Sequence, residues 1–200
     1  MTMIDPAESR VSLSALLEAG PRVGIRYIEP TDRDMYMRLR VSSREHHQQW
    51  DPAAAPGIAP FGPLIFDRQL ANTKTSSGEK LVIVRIKDGA LIGHMTIGGI
   101  IRGAGQMCHL GYWLGSDFTV HGYMRDSISL TLDHCFGRMR LHRVEANIQP
   151  HNDRSIAAVQ ANGLRYEGLS KGLVQIAGEW RDHVRWAITA EEWQTRSSTR

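Results

Sequence analysis

"YWLGSDFTVHGYMRDS", Tyr112 to Ser127, joins the end of an apolar strand to the start of a helix through a short polar turn. Upstream, "GQMCHLGYWL" alternates as a strand, so that His109 and Trp113 share one face. Downstream, Met124, Ile128, Leu132 and Phe136 recur at steps of four, which makes one helical stripe for packing on a sheet. A strand-to-helix turn presents unpaired backbone N–H groups and the positive end of a helix dipole, which suits a pyrophosphate whatever the side chains are. Val120 is the difficult residue in this turn, because a β-branched side chain resists positive φ and adds bulk where phosphates would approach. His121 and, in the first helical turn, Arg125 are basic side chains that favour an anion beside it.

Outward from the turn, the pattern gives strands, a helix, a strand, a helix and a closing hairpin. "RVGIRYIEP" alternates as a strand ending at Pro30, after the short amphipathic piece "LSALLEAG". In "TDRDMYMRLRVSSREHHQQW", Thr31 or Asp32 can cap a helix that carries Met35, Leu39 and Val41 on one face. The proline-rich "WDPAAAPGIAPFGP" is a loop or hinge, and "LIFDRQLAN" reads as a further helix. "EKLVIVRI", the turn "KDGA" and "LIGHMTIGGI" form a hairpin. After the central helix, "HRVEANIQP" is a strand stopped by Pro150, and "NDRSIAAVQANG" is a helix capped by an Asn or Asp and ended by Gly163. "LRYEGLSKGLVQIAGEWRDHVRWAIT" is a hairpin turned at Ala177-Gly178, and the end "TRSSTR" reads as a frayed polar tail.

The bulk composition bounds the function classes. Two hundred residues, 42% hydrophobic and 22% charged, fit one soluble domain with a sizeable core. No run of about 18 apolar residues and no basic-then-apolar leader is present, so a cytoplasmic protein without a membrane partner is expected. Cys108 and Cys135 are too few for a disulfide framework and lack zinc-site spacing, so no metal is expected. The net charge of +3 favours an anionic ligand, but acids and bases alternate and no basic run with aromatic platforms points to nucleic acid.

The segments "GYWL", "HRVEANIQPHNDRS", "ANGLRYEG" and "AGEWRDHVRWAIT", in this order and spacing, resemble the GNAT N-acyltransferases, specifically the RimJ/RimL-type branch. The resemblance implies an α/β (α+β) fold: a mixed, mostly antiparallel sheet of about seven strands, splayed at the cofactor site and flanked by helices. It implies a GNAT domain over 23–190, with an N-terminal extension over 1–22 and a polar tail over 191–200. Acetyl-CoA would be the co-substrate, and a primary amine, on a protein N-terminus or a small molecule, the acceptor. The protein would be a monomer or homodimer. A GNAT-like domain that binds CoA or a partner without transfer is the alternative.

The same resemblance maps cofactor contacts onto Tyr112, Trp113 and Leu114 at the strand end, and onto Asp117, Val120, His121, Gly122, Tyr123, Met124 and Arg125 of the turn. In the family pattern Asp117, Val120 and Gly122 occupy the places of Gln or Arg, Gly, and Gly or Ala. Asn152 and Ser155 match the branch's N-x-x-S, so that Asn152 touches the pantetheine arm and Ser155 the CoA sulfur, while serving also as cap and first-turn serine. A tyrosine used as proton donor in many GNAT enzymes is replaced by Val159, a glutamate of some N-terminal acetyltransferases by Val174, and the usual base position is Asn147, which takes no proton.

Two side chains remain as general base. His109 has a well-matched imidazole, and Glu145 shares a strand face with Asn147. Each also fits a blander role, as a hydrogen-bonded strand histidine and a salt-bridged surface glutamate. His46, His47 and Trp50 correspond to the roof of the family's acceptor site. Trp180, Arg181 and Asp182 are expected to pin the last hairpin, with the tryptophan buried and the Arg-Asp couple paired.

Overall fold

The run Leu81-Val82-Ile83-Val84 is fully buried, and its residues divide alternately between two apolar clusters. That is the signature of a strand covered on both faces, and it sets the architecture: one sheet between two helical layers. The computed structural model describes residues 15–52, 58–59 and 61–197. Its strands are β1 (Glu18–Ala19), β2 (Val23–Tyr27), β3 (Lys74–Thr75), β4 (Gly78–Arg85), β5 (Ala90–Ile101), β6 (Met107–Leu114), β7 (Arg143–Ile148), β8 (Arg165–Ile176) and β9 (Glu179–Thr189). The helices are α1 (Arg33–Ser42), α2 (Arg44–His47), α3 (Leu64–Ala71), α4 (Tyr123–Asp133), α5 (Asp153–Ala161) and α6 (Ala190–Ser197).

The sheet runs β1-β2-β4-β5-β6-β7-β9-β8, with β3 paired to β4. Every pairing is antiparallel except β6 with β7. The two-residue strands β1 and β3 account for nine strands where about seven were expected. On one face Ile128 and Leu132 of α4 join Leu81, Ile83, Val144 and Trp186 in the main core. On the other, Tyr36 and Phe66 of α1 and α3 pack with Val82, Val84 and Leu91.

The elements follow from local chemistry. Asn152 caps α5 by accepting from the Ser155 backbone N–H at 3.2 Å, and Gly163 at φ +85 ends the segment. Ala177 and Gly178, at φ +49 and +87, form the two-residue turn joining β8 to β9. The helical stripe of α4 continues into a wider π-type turn over His134–Arg138, where Phe136 is only half-buried.

Three expectations change. The inward face of α1 is set by Tyr36 and Arg40, with Met35 and Leu39 flanking; Val41 is 56% exposed. Arg40 tolerates burial because Asp51 and His47 take up its guanidinium. Trp180 is 67% exposed, Arg181 pairs with Glu179 at 2.6 Å, and Asp182 instead accepts from the Gly172 backbone N–H at 2.8 Å. The last residues are no plain tail: α6 docks through Trp193, 4% exposed, whose Nε1 donates to Asp133 at 2.8 Å. The start of the N-terminal amphipathic piece, part of the proline-rich loop and residues 198–200 lie outside the described residues.

Candidate active site

The site is created where the one parallel ladder stops. β6 and β7 pair from Met107 with Arg143 to Leu110 with Ala146. Beyond that point Gly111 to Leu114 stay bonded to β5, and Asn147 and Ile148 stay bonded to β9, so the two strands diverge. Their facing edges carry backbone groups without a ladder partner, and a polar chain could lie along them. A cleft of about 1610 Å³ runs through this fork, from the start of α4 to the roof formed by α1, α2 and α3.

At one end of the cleft lies the turn before α4. Val120 keeps the left-handed backbone that glycine would adopt, at φ +60, and Gly122 follows at φ +78. A left-handed residue bearing Cβ costs about 1–2 kcal/mol, and a β-branched one is among the least suited. The structure tolerates this because the Val120 side chain is 81% exposed and meets no packing constraint. Gly122, Tyr123, Met124 and Arg125 line the cleft, as do Thr119 and Val120. Asp117 and His121 do not: Asp117 is exposed and accepts from the Ser116 hydroxyl, and the His121 ring leans on Tyr123.

A residue that the sequence did not single out braces this turn. Arg22 donates to the carbonyl oxygens of His121 at 2.9 Å and Gly122 at 3.4 Å, and binds Asp126 at 2.7 Å. With the carbonyl side occupied, the N–H side of the first turn of α4 is left for a ligand. Asn162, fully buried, donates to the Arg125 carbonyl at 2.9 Å and so ties the start of α4 to α5.

In the middle of the fork the Ser155 hydroxyl donates to the Tyr112 hydroxyl at 3.4 Å. Burial raises the Tyr112 phenol to about 12, partly offset by Ser155, so it stays protonated. Val159 is fully buried in the main core and outside the cleft lining, so on this α5 a tyrosine at that position would not face the site. Asn152 and Ser155 line the cleft.

The opposite face of the sheet forms a floor of cross-strand rows. Val82, His94 and Trp113 make one, Lys80, Thr96 and Gly111 the next, and Gly78, Gly98, His109 and Glu145 the third. His109 is exposed to the cleft, where the absence of a side chain on Gly98 and Gly99 leaves room for its ring. Desolvation lowers its pKa, with Lys80 acting in the same direction and Glu145 against it, so the imidazole is neutral at pH 7. Glu145 does not line the cleft; Arg143 binds it at 2.7 Å and also holds Glu167. Held by Arg143 and outside the cleft lining, the Glu145 carboxylate is not placed to meet a ligand in the cleft.

His47 is tied at both nitrogens, Nδ1 to Arg40 at 3.1 Å and Nε2 to the Leu114 carbonyl at 2.7 Å. The guanidinium has only donors and the carbonyl only accepts, so Nδ1 accepts and Nε2 donates. Desolvation lowers the His47 pKa, in keeping with a neutral ring. It fastens the roof to the end of β6, together with Arg40, which binds Asp51 at 2.6 Å and covers the Trp113 ring. His46 and Trp50 line the cleft beside it, Trp50 against His151 at 5.1 Å between ring centroids. Leu173 and Val174 of β8 line the cleft as well.

A nine-stranded sheet with a single forked parallel pair, the N–H end of α4 at one mouth and a neutral histidine in the wall form a cleft that can take a long polar ligand. Comparison with known proteins assigns the family. Residues 22–165 match the family model described as "Acetyltransferase (GNAT) domain". "Probable N-acetyltransferase YjcK" of Bacillus subtilis is 29% identical over 174 residues, covering 84% of this chain and 94% of that protein. The "[Ribosomal protein uS5]-alanine N-acetyltransferase" of Escherichia coli is 33% identical over 103 residues, 52% of this chain and 53% of its own length. Among solved structures, Mycobacterium smegmatis RimJ in complex with CoA-disulfide superposes with TM-score 0.78 at 33% identity, covering 86% of this chain and 87% of RimJ. The chain belongs to the GNAT acetyltransferase family, in its RimJ/RimL-type branch. It is an N-acyltransferase.

Proposed function

We propose that this chain transfers an acetyl group from acetyl-CoA to the primary amine of a peptide or protein N-terminus by direct attack on the thioester. The observation that carries the reading is the end of the β6–β7 ladder at Leu110 and Ala146, while both strands continue. The residues present suit acetyl-CoA, whose thioester is the activated acyl group. Its diphosphate matches the N–H groups at the start of α4, and its amide-bearing arm matches the free edge of Gly111 to Leu114. The E. coli relative is named for acetylating a ribosomal-protein alanine, which supports a peptide acceptor.

The chain's own groups then divide the work. His109, neutral in the cleft wall, takes a proton from the acceptor ammonium directly or through one water, leaving the amine free to attack. Backbone N–H groups near Tyr112 to Leu114 polarise the thioester oxygen. The hydroxyls of Ser155 and Tyr112 orient and hydrogen-bond the departing sulfur. His46 and Trp50 of the roof, with Val174 of β8, bound the acceptor half.

The test is a two-part measurement. Acetyl-CoA at about 100 times its Kd stabilises a binder by about 2.7 kcal/mol, read as a rise in Tm. Thiol release with a panel of N-terminal peptides and small amines reads transfer. Stabilisation with no release on any acceptor would favour a CoA-binding domain without transfer, and no stabilisation at millimolar ligand would reject both.

A further inference from the structure

The floor of the acceptor half carries positive charge that the protein itself does not neutralise. Lys80, on the row with Thr96 and Gly111, and Arg68 on α3 both line the cleft. Among the described residues no carboxylate lies within ion-pair distance of either, and Lys80 Nζ donates to Thr96 Oγ1 at 3.4 Å. The two cations are close enough that Arg68 depresses the Lys80 pKa, although burial is the larger cause. The two acids lining the cleft are already placed elsewhere: Asp51 pairs with Arg40, and Asp153 stands in the first turn of α5.

A second observation points to the same place. His94, 3% exposed, and Gln69 each have a buried polar atom without a hydrogen-bond partner, Nε2 and Oε1, and both residues line the cleft. An orphaned polar atom in a buried position is costly unless a ligand or water completes it. A neutral imidazole can carry its proton on Nε2, and a glutamine amide can be turned to present its NH₂, so both can donate. Lys80, Arg68, Thr96, Gln69 and His94 therefore offer donors without a matching acceptor.

We propose that this cluster is an anion-recognising subsite, so that the preferred acceptors are amines carrying a carboxylate or phosphate beyond the reacting nitrogen, foremost peptide N-termini with an acidic residue near the start. A polyamine or lysine-rich acceptor would bring its charges against Lys80 and Arg68, and of the two lining acids Asp51 is held by Arg40, which leaves Asp153 on the first turn of α5. The inference rests on the amine-acetylating function proposed above, with one part of its test independent of turnover.

Thiol release is measured with three short peptides that share an N-terminal alanine and carry glutamate, glutamine or lysine at the next two positions, and with an amino-acid phosphomonoester as a small anionic amine. The acidic peptide is expected to have a KM at least tenfold below the lysine peptide. Lys80→Glu and Arg68→Glu are expected to raise the acidic peptide's KM at least tenfold, reversing the order, with the acetyl-CoA KM within twofold. Preference for the phosphomonoester over the acidic peptide would keep the subsite and assign it to small acceptors. A calorimetric titration of the acidic and lysine peptides onto the CoA-bound protein gives the same ranking without chemistry. If no peptide is turned over but the acidic one still binds through Lys80, the transfer reading fails and the subsite stands. Equal binding of the acidic and lysine peptides, or an acidic-peptide affinity unmoved by both substitutions, overturns the subsite.

Discussion

Arg22 Nε donates to Asp126 Oδ2 at 2.7 Å, and from that anchor the same guanidinium reaches the His121 and Gly122 carbonyls. One side chain so occupies the carbonyl side of the turn before α4 and leaves its N–H side open. Arg22→Ala is expected to weaken acetyl-CoA binding about fivefold, equivalent to about 1 kcal/mol, a modest value because the guanidinium is partly solvated. The acceptor KM should stay within twofold. Calorimetry with acetyl-CoA and with the acceptor separates the two; equal weakening of both would show that Arg22 supports the whole fork and not the turn.

Val120→Gly removes a β-branched side chain from a left-handed position. Relief of about 1–2 kcal/mol of backbone strain is set against about 1 kcal/mol of extra freedom in the unfolded chain, so stability should change by less than about 1 kcal/mol. Acetyl-CoA should bind several-fold more tightly, because no Cβ then stands beside the approaching phosphates. Unchanged affinity would mean that the exposed valine already points clear of them.

His109→Ala is expected to lower kcat by about a hundredfold with little effect on the acetyl-CoA Kd. The sign of the pH dependence follows from its environment. Desolvation lowers the His109 pKa, so the neutral base persists below pH 6.5 and the acid limb of kcat/KM lies below that value. The Glu145 charge opposes the shift, and Glu145→Gln should move the limb to still lower pH while sparing most of kcat. If Glu145→Gln abolishes activity and His109→Ala does not, the proton acceptor is the carboxylate.

Legibility from the sequence followed the range of the interactions. The strand-turn-helix around Val120, the stripe of α4 and the Asn152 cap depend on neighbours three or four residues apart, and periodicity shows them. Arg22 acts on a turn about a hundred residues away, and no local pattern reveals that contact. The Arg40–His47–Leu114 linkage was hidden for the same reason: a buried arginine on a helix looks like a surface residue until Asp51 folds back on it. The strand pattern of the last hairpin does not say which face is covered, so it does not show that Trp180 is exposed, and Asp182 and Gly172 hold the strands together there. The place of Tyr112 at the end of β6 is legible from the strand pattern, but its pairing with Ser155 needs the crossing of β6 and α5.

Two buried neutral histidines make the fold acid-sensitive. His94 has its pKa lowered to about 3, chiefly by desolvation, with Lys80 and Arg40 adding to it; that of His47 is lowered for the same leading reason. The unfolded chain takes up these protons near pH 6.5, whereas the folded one takes up that of His94 only near pH 3 and that of His47 below its usual range, so stability falls as pH drops below 6.5. For His94 the loss by pH 5 is on the order of 2 kcal/mol. Urea unfolding at pH 7 and pH 5 checks this: His94→Phe, which can stack on Trp113, should shrink the difference by about that amount. An unchanged difference would place the acid sensitivity elsewhere.

The Ser155 and Tyr112 hydroxyls form one unit, and their substitutions should not add. Each faces the fork, and Ser155 donates to Tyr112 at 3.4 Å. With Tyr112 held at about 12, its proton stays in place throughout the working range, and the pair can donate to a sulfur whose own pKa is near 8.5. Ser155→Ala and Tyr112→Phe should each lower kcat about tenfold while leaving the acetyl-CoA Kd within threefold. The double variant should lose little more than the worse single one, since either change breaks the same chain of hydrogen bonds. Fully multiplicative losses would mean that the hydroxyls act at separate points. An acetyl thioester whose leaving thiol is more acidic than that of CoA should recover most of the loss in all three variants, because its sulfur needs less help to depart. A merely packing role for Tyr112 would leave the deficit the same for every donor.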